Sequence, residues 1–356
     1  MSSKPFRVAI AGANPQRGWG RDAHLPALQA LPGFSVAAVS AREQSIADAA
    51  AKTFGAQRAY GNTLGMVEDP EVDLVAVTVK VPEHRAIVLA ALAAGKHVYC
   101  EWPLGIDLAE AQEMAAAVPA ACRAFIGLQG LYAPALRQAS GYIREGRIGR
   151  PQVLRVYSTA GAWGTEVPPF YAYLQDKRTG ATMETIGGGH TLAAIESLVG
   201  PYVEVDARNS IQHPRVRIAG SDEWVERSCA DHMLVLGRHA GGCVSTLEVV
   251  GGRVKRPVLF EIEGESGWIR VSGTEPGTYQ IAPLQLEASF EAGPPPAAAV
   301  PALAGPAANV AEIYARISED LDKGSSSAPG FTEAVRLSRL LLAIDTASAT
   351  GARQSL

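Results

Sequence analysis

Apolar residues in the first third of the chain fall in short continuous runs, and stretches with helical spacing separate these runs. Continuous apolar runs are typical of strands buried on both faces, and strands that alternate with helices form a parallel sheet. The pattern predicts strands at 6–12, 35–40, 72–79, 96–100 and 124–128. It predicts helices that begin near residue 24 and that cover 45–54, 83–94 and 108–118.

Beyond about residue 132 the pattern changes to alternation of apolar and polar residues, which is typical of antiparallel strands with one solvated face. Strands are predicted at 153–159, 203–211, 232–238, 243–249, 258–263 and 268–272. Helices are predicted at 134–145, 190–199, 310–321 and 332–349, and residues 293–306 form a Pro/Ala-rich surface loop.

These elements predict an α/β chain with an N-terminal, doubly wound parallel sheet of the Rossmann type. An α+β domain with a large, mostly antiparallel open sheet follows it. We expect a dinucleotide-binding domain at 1–130 and a substrate and oligomerisation domain at 131–306. Residues 307–356 are expected to form terminal helices that pack back on the body.

Composition narrows the function classes. The chain has 356 residues, 47% of them hydrophobic, and a formal net charge of −4. An acidic balance disfavours nucleic acid and anionic membranes as partners.

The 4 cysteines form no CxxC pair and have no zinc-site spacing to histidine, so we predict no metal and free thiols. No signal peptide or membrane-spanning run is visible, which predicts a cytoplasmic protein.

A glycine-rich loop follows the first predicted strand. It contains Gly12, Asn14, Gly18 and Trp19. Glycine here lets the backbone turn sharply and lets its N–H groups approach a pyrophosphate at a helix N-terminus. The loop is longer than a plain GxGxxG, and alone it is a weak signal. Its place inside a βαβ array favours dinucleotide binding.

The end of the second predicted strand bears on cofactor choice. An acidic residue there binds the ribose 2′-OH of NAD, whereas Ser40 and Arg42 suit the 2′-phosphate of NADP. The cofactor is therefore predicted to be NADP or NAD, with NADP favoured. Alternatively, Arg42 stacks on the adenine or faces water.

Several strings resemble the glucose–fructose oxidoreductase / inositol dehydrogenase / MocA (Gfo/Idh/MocA) family. They are GKHVYCEWPL at 95–104, FIG at 125–127, IREGRIG at 143–149 and EIEGESG at 261–267. The resemblance implies NAD(H)- or NADP(H)-dependent oxidation or reduction of sugars, cyclitols or related carbonyl compounds. It also implies that Glu101 and Pro103 shape the nicotinamide site, with Pro103 often in a cis peptide. His190 matches the position of the family's catalytic histidine.

Three positions depart from the family pattern. Trp102 stands where the family has its catalytic lysine, Ile186 stands in place of an aspartate, and Lys80-Val81 replaces a Pro-Asn pair. The chain is most similar to the galactose-repressor-like branch, which has Glu-Trp-Pro in place of Glu-Lys-Pro. That branch implies an alternative, a catalytically silent dinucleotide-binding regulator.

If the chain is an enzyme, a group other than Trp102 must move protons, because an indole N–H does not titrate. His190 is the first candidate, since an unperturbed pKa of about 6.5 suits acid–base work. Lys80 is the second, at the carboxyl edge of the sheet, where it would alternatively bind the cofactor. Tyr173 is the third. His84, Glu101, Trp102 and Pro103 complete the predicted cofactor-binding set.

Trp163, Tyr171 and Lys177 join His190 as predicted substrate contacts, although each also suits simple packing or a solvated rim. Glu184 and Asp176 are candidates to replace the missing aspartate.

The leading hypothesis is an NAD(P)-dependent oxidoreductase that transfers hydride to or from a small hydroxyl or carbonyl substrate. Redox-neutral chemistry with a tightly held cofactor is a weaker alternative. The resemblance implies a homodimer or homotetramer formed through the C-terminal sheet.

Overall fold

The structure is a computed structural model that describes residues 4–252 and 256–356. The first three residues of the predicted domain 1–130, and residues 253–255 of the predicted domain 131–306, lie outside this range. The chain divides into two compact units. The first comprises Met1–Gln129 with Ala298–Val335, and the second comprises Gly130–Ala297 with Arg336–Leu356.

The first unit contains a six-stranded parallel sheet in the order β3-β2-β1-β4-β5-β6. Its strands are β1 (Phe6–Ala11), β2 (Phe34–Ser40), β3 (Arg58–Tyr60), β4 (Leu74–Val77), β5 (His97–Glu101) and β6 (Ala124–Gly127). All four residues of β4 are completely buried, as a continuous apolar run predicts. The predicted Rossmann sheet is thus confirmed, although the short strand β3 was not predicted.

The helices of this unit are α1 (Leu25–Ala30), α2 (Gln44–Phe54), α3 (Thr63–Val67), α4 (His84–Ala93), α5 (Leu108–Ala116) and α8 (Pro306–Lys323). Helix α1 begins at Leu25, near the predicted start at residue 24, and a π-helical turn at Gly20–His24 precedes it. Helix α3 was not predicted. Its five residues are too few for helical periodicity to show, and Asn62 caps it by accepting from Leu64 N.

The second unit contains an eight-stranded sheet in the order β16-β15-β14-β7-β13-β12-β9-β17. The strands are β7 (Pro151–Ala160), β9 (Tyr202–Ser210), β12 (His232–His239), β13 (Val244–Gly251), β14 (Leu259–Gly264), β15 (Trp268–Gly273), β16 (Leu284–Ala288) and β17 (Gln354–Ser355). Only β7 and β13 pair in parallel among these described strands, so the predicted mostly antiparallel sheet is confirmed.

One face of this sheet is covered and the other is exposed. Along β12, Met233 and Val235 are 0% and 2% exposed, whereas Leu234 and Leu236 are 41% and 54% exposed. This alternation follows from the two-residue period of a strand. The exposed face therefore carries large apolar side chains as well as charged ones.

A second, three-stranded sheet was not predicted. It consists of β8 (Glu166–Val167), β10 (Arg215–Ile218) and β11 (Trp224–Glu226), and none of these strands is longer than four residues. The remaining helices are α6 (Pro134–Arg144), α7 (Gly189–Val199) and α9 (Phe331–Thr350). In the part of the chain that the structure describes, no helix has the length and apolar character needed to cross a bilayer.

Candidate functional site

The glycine loop leaves the carboxyl end of β1 and is held by the end of β2. The N–H groups of Gly12 and Ala13 donate to the carbonyl oxygen of Ser40 at 3.1 and 2.8 Å. Gly12 has a φ of +91°, and a Cβ atom there would lie 2.8 Å from Cγ1 and 3.2 Å from the backbone nitrogen of Val79. Only glycine fits, so the backbone passes directly over the end of β4.

The middle of the loop is braced by its own side chains. The Oδ1 atom of Asn14 accepts hydrogen bonds from the N–H groups of Gln16 and Arg17 at 2.9 and 3.2 Å. Gly18 then adopts a φ of +99° with open space where a Cβ would lie. The predicted cofactor residue Asn14 therefore shapes the loop backbone.

The indole of Trp19 ends the loop at the start of the helix. Its Nε1–H is buried and has no hydrogen-bond partner among the described residues. A buried donor without a partner costs about 1–3 kcal/mol, so such an atom points to a ligand that the protein is built to hold. The next residue, Gly20, lies so close to β4 that a Cβ would be 2.9 Å from Oγ1 of Thr78. The residues present fit a dinucleotide.

The structure gives Ser40 a different role from the one predicted. Its side chain is completely buried, and its hydroxyl lies 2.9 Å from the hydroxyl of Thr63. Ser40 therefore supports the glycine loop through its carbonyl and does not offer its hydroxyl to a 2′-phosphate. Arg42 lies at the surface as predicted, and its Nη2 atom forms an ion pair with Oε1 of Glu83 at 2.5 Å.

Lys80 and His84 follow β4, at the same edge of the sheet. Lys80 is exposed and has extended backbone angles immediately before a short 3₁₀ turn, Val81–Glu83. His84 is buried, with Nδ1 lying 3.0 Å from the carbonyl oxygen of Pro103 and Nε2 lying 3.1 Å from that of Val79. Burial lowers the pKa of His84. The ring therefore ties two loops together, and both of its nitrogens face backbone carbonyls.

The sequence Glu-Trp-Pro begins at Glu101, the last residue of β5. The Trp102–Pro103 peptide bond is cis, as the resemblance implied, and Trp102 is 5% exposed. Glu101 precedes this turn, and its Oε1 lies 2.9 Å from Nε2 of His24. A Cβ on Gly127 would come within 2.7 Å of the same carboxylate, so glycine at that position makes room for it.

His24 and Tyr314 were not predicted as site residues. His24 Nδ1 lies 2.8 Å from the Tyr314 hydroxyl, and both side chains are completely buried. The partners are 77 and 290 positions apart in the chain, so no local pattern connects them with Glu101. Glu101, His24 and Tyr314 form one continuous hydrogen-bonded chain within the first unit.

In the second unit, His190 lies in the first turn of α7 and is 3% exposed. Glycines place it there, because a Cβ on Gly187 would be 3.0 Å from Cβ of Ala160 and one on Gly188 would be 3.0 Å from the Met233 sulfur. The helix start therefore packs directly on the large sheet. The His190 carbonyl also accepts a hydrogen bond from the Tyr279 hydroxyl at 2.8 Å.

Residues 168–180 are largely 3₁₀-helical, with segments Pro169–Gln175 and Lys177–Thr179. Trp163 lies beneath it. Its indole N–H donates to the carbonyl of Leu174 at 3.0 Å, and the side chain is 3% exposed. Trp163 therefore packs beneath this segment and holds it, which agrees with the packing alternative.

Tyr171 and Tyr173 belong to the same segment. Tyr171 is 40% exposed. Burial, with a smaller effect of Tyr171, raises the pKa of Tyr173 to about 12. The backbone N–H of Lys177 donates to the Ser228 hydroxyl at 3.0 Å. Tyr173 thus keeps its proton at neutral pH, which suits a hydrogen-bond donor.

Asp176 and Glu184, the two candidates to replace the missing aspartate, have pKa values that are shifted in opposite directions. Hydrogen bonds from Arg178 lower the pKa of Asp176 to about 2, so it is ionised and already paired. Burial raises the pKa of Glu184, and its Oε1 accepts from the N–H of Ala230 at 2.8 Å. Of the two, only Glu184 is a buried carboxyl group with a raised pKa.

Two family models match this chain. Residues 6–126 match the Gfo/Idh/MocA model, described as an oxidoreductase family with an NAD-binding Rossmann fold, and residues 134–273 match the Gal80p C-terminal domain. The chain is 33% identical to the dehydrogenase aclE of Aspergillus oryzae over 81% of this chain and 82% of that protein. The chain belongs to the Gfo/Idh/MocA family. The resemblance seen in the sequence is confirmed.

Within the Gfo/Idh/MocA family the relatives include a regulator. The chain is 25% identical to the galactose/lactose metabolism regulatory protein GAL80 of Kluyveromyces lactis, over 80% of this chain and 67% of that protein. A super-repressor mutant of Gal80p from Saccharomyces cerevisiae has a TM-score of 0.86 at 20% identity, with 99% and 98% of the chains covered. A levoglucosan dehydrogenase complex with NADH and levoglucosan has a TM-score of 0.81 at 21% identity, with 99% of both chains covered. These structures share the fold.

Proposed function

We propose that the protein is an NAD(P)-dependent oxidoreductase that acts on a small hydroxyl or carbonyl compound, such as a sugar, a cyclitol or a related molecule. The glycine cradle carries this proposal. Gly12 and Gly20 lie against β4 where no side chain fits, and the Trp19 indole N–H is buried without a partner among the described residues. The bound nicotinamide cofactor supplies the hydride acceptor or donor.

The residues of each unit have distinct proposed roles. In the first unit, Gly12, Asn14, Gly18, Trp19 and Arg42 bind the cofactor. Glu101, Trp102 and Pro103 form the wall of the nicotinamide site, with His84 fixing the Pro103 carbonyl. Lys80 either binds the cofactor or replaces the missing catalytic lysine.

In the second unit, His190 is the proposed proton-transfer group. Tyr173 donates a hydrogen bond to the substrate oxygen, because its raised pKa keeps it protonated. Tyr171 and Lys177 are proposed substrate contacts. Trp163 acts on the substrate only through the segment that it supports.

The relatives support a hydroxylated substrate. A trans-1,2-dihydrobenzene-1,2-diol dehydrogenase of Oryctolagus cuniculus is 37% identical over 36% of this chain and 40% of that protein. Together with the levoglucosan dehydrogenase fold, this favours vicinal diols and anhydrosugars for the first substrate panel.

A regulator without catalysis is the second candidate. Trp102 replaces the titrating lysine, and residues 134–273 match the Gal80p C-terminal domain. Such a protein would bind the dinucleotide and would act through a protein partner.

One experiment separates the two candidates. The absorbance of reduced nicotinamide is followed after NAD⁺ or NADP⁺ is added with sugars, cyclitols, levoglucosan or cyclic trans-diols. Turnover that His190→Ala abolishes supports the enzyme and the role of His190. Lys80→Ala then tests whether Lys80 replaces the missing lysine. Tight dinucleotide binding without turnover in either direction favours the regulator.

We also propose that the protein assembles as a homodimer or homotetramer through the exposed face of the eight-stranded sheet. Leu234, Leu236 and Trp268 are 41%, 54% and 41% exposed on strands of that sheet. Exposed apolar patches of this kind mark association surfaces.

A further inference from the structure

The ion pair between Arg42 and Glu83 spans the edge of the parallel sheet at the glycine loop. Arg42 follows β2 and Glu83 follows β4, and these strands lie on either side of β1. Gly12 leaves the end of β1 between them. The pair at 2.5 Å therefore links the two loops that flank the start of the glycine loop.

The pair lies where a ligand can reach it. The side chains of Arg42 and Glu83 are 73% and 39% exposed. Exposed ion pairs contribute little to folding stability, so this pair is not needed to hold the fold. Arg42 follows the second strand, and this is the position at which Rossmann proteins bind the adenosine ribose.

The two charges have opposite effects on a 2′-phosphate. A guanidinium binds a phosphate, whereas a carboxylate repels it and is the group that suits a ribose 2′-OH. In this chain the carboxylate neutralises the guanidinium directly. The other predicted phosphate ligand, the Ser40 hydroxyl, is buried against Thr63. Arg42 and Ser40 therefore offer a 2′-phosphate neither an unopposed positive charge nor an exposed hydroxyl.

We propose that Glu83 is the residue that sets the preference between NAD and NADP, an inference that rests on the proposed dinucleotide-binding function. Glu83 holds Arg42 beside the ribose and disfavours a phosphate on the 2′-oxygen. NAD binds with the pair intact, whereas NADP must separate the pair or accept its carboxylate as a neighbour. The native protein thus prefers NAD, in contrast to the preference for NADP that Ser40 and Arg42 alone predicted.

The test is calorimetric titration of the intact protein with NAD⁺ and with NADP⁺ at low salt. Glu83→Gln keeps the shape of the side chain and removes its charge. We expect it to tighten NADP⁺ binding about tenfold, the effect of one carboxylate a few ångströms from a phosphate. NAD⁺ binding should change less than about twofold, and added salt should shrink the NADP⁺ effect.

Two further variants make the result specific. Arg85 and Glu113 form an ion pair of the same 2.5 Å length with 44% and 45% exposure, between α4 and α5. Glu113→Gln removes the same charge from the same unit and should leave both affinities unchanged. Adding Arg42→Gln to Glu83→Gln should reverse most of the gain for NADP⁺, since Arg42 is the group that Glu83→Gln releases.

Three outcomes would overturn the proposal. In the first, Glu83→Gln leaves the ratio of the two affinities unchanged. In the second, it weakens NADP⁺ binding, which would mean that Glu83 presents Arg42 to the phosphate. In the third, Glu113→Gln has the same effect as Glu83→Gln, which would make the effect one of net charge. If the native protein and every variant bind neither dinucleotide, the proposed function fails as well, and that result is distinct from a measured but unaltered ratio.

Discussion

The Nε2 atom of His24 lies 2.9 Å from Oε1 of Glu101, and the other ring nitrogen of His24 lies 2.8 Å from the Tyr314 hydroxyl. An ionised carboxylate only accepts, so its contact suits a ring that carries its proton on Nε2, and Nδ1 of that tautomer accepts from the phenol. Burial, with the nearby charge of Glu101, raises the pKa of Tyr314 well above its usual range, which keeps the phenol a donor. Each of these contacts with His24 therefore joins a donor to an acceptor.

Replacing His24 by leucine should destabilise the protein strongly. His24→Leu leaves the buried phenol and the carboxylate without this partner, which we expect to lower the free energy of unfolding by about 2–4 kcal/mol. Chemical denaturation measures this loss. The pair of His232 and Glu248 is a matched control, because its distance is also 2.9 Å but its side chains are 23% and 41% exposed. His232→Leu should cost less than about 1 kcal/mol. Equal losses in the two variants would show that the buried chain contributes no special stability.

The close approach of the glycine loop to β4 gives a second prediction. Gly12→Ala must accommodate a φ of +91° and a Cβ 2.8 Å from the Val79 side chain, whereas Gly18→Ala, at +99°, meets open space. We expect Gly12→Ala to lower the free energy of unfolding by about 2–4 kcal/mol and Gly18→Ala by about 1 kcal/mol. Denaturation measures both values, and titration with NAD⁺ should show at least a tenfold loss of affinity for Gly12→Ala. A smaller loss of stability in Gly12→Ala than in Gly18→Ala would contradict the close packing.

The strands and helices were predictable where the pattern is long. The eight residues of β12 alternate between buried and exposed positions, and β4 is uniformly apolar, so both were predicted. The strand β10 alternates over only four residues and β11 has three, so neither pattern is long enough to stand out. They exist because tertiary pairing joins Val216 to Val225.

The gathering of the candidate residues at one edge of the sheet was predictable, whereas their contacts were much less so. Residues at the carboxyl ends of the strands were predicted because a parallel sheet gathers them at one edge. The partners of those residues were not predicted, since Arg42 meets Glu83 from 41 positions away and His24 meets Tyr314 from 290. Ser40 was predicted to bind the 2′-phosphate because it carries a hydroxyl. The sequence does not show that this hydroxyl faces Thr63.

Burial of neutral His84 predicts a loss of stability in mild acid. Burial lowers the pKa of His84 in the folded chain, so the unfolded chain takes up the proton first as the pH falls below about 6.5. The contribution of His84 is complete above that pH and is lost on acidification, by up to about 1.4 kcal/mol per pH unit until the folded pKa is reached. His84→Gln should reduce this slope by the same amount, even though it is itself less stable.

Denaturation at pH 7, 6 and 5.5 checks the slope in the native protein and in His84→Gln. Other groups also titrate on unfolding. Burial lowers the pKa of His97 and His239 and raises that of Glu196. These contributions are common to both proteins and cancel in the difference between the two slopes. Identical slopes would contradict a neutral, buried His84.

The exposed face of the eight-stranded sheet gives the last prediction. Leu236 is 54% exposed on β12, where it lies beside Thr246 and Asp206 on the neighbouring strands. If this face joins two copies of the chain, Leu236→Lys places two charges in a desolvated contact, and the dissociation constant should rise at least about tenfold. Leu342 is a matched control, because it is 52% exposed on α9 and outside the sheet. Light scattering after gel filtration, over a range of protein concentrations, should show dissociation for Leu236→Lys alone. A native protein that stays monomeric at every concentration, or equal dissociation in both variants, would remove this face as the association surface.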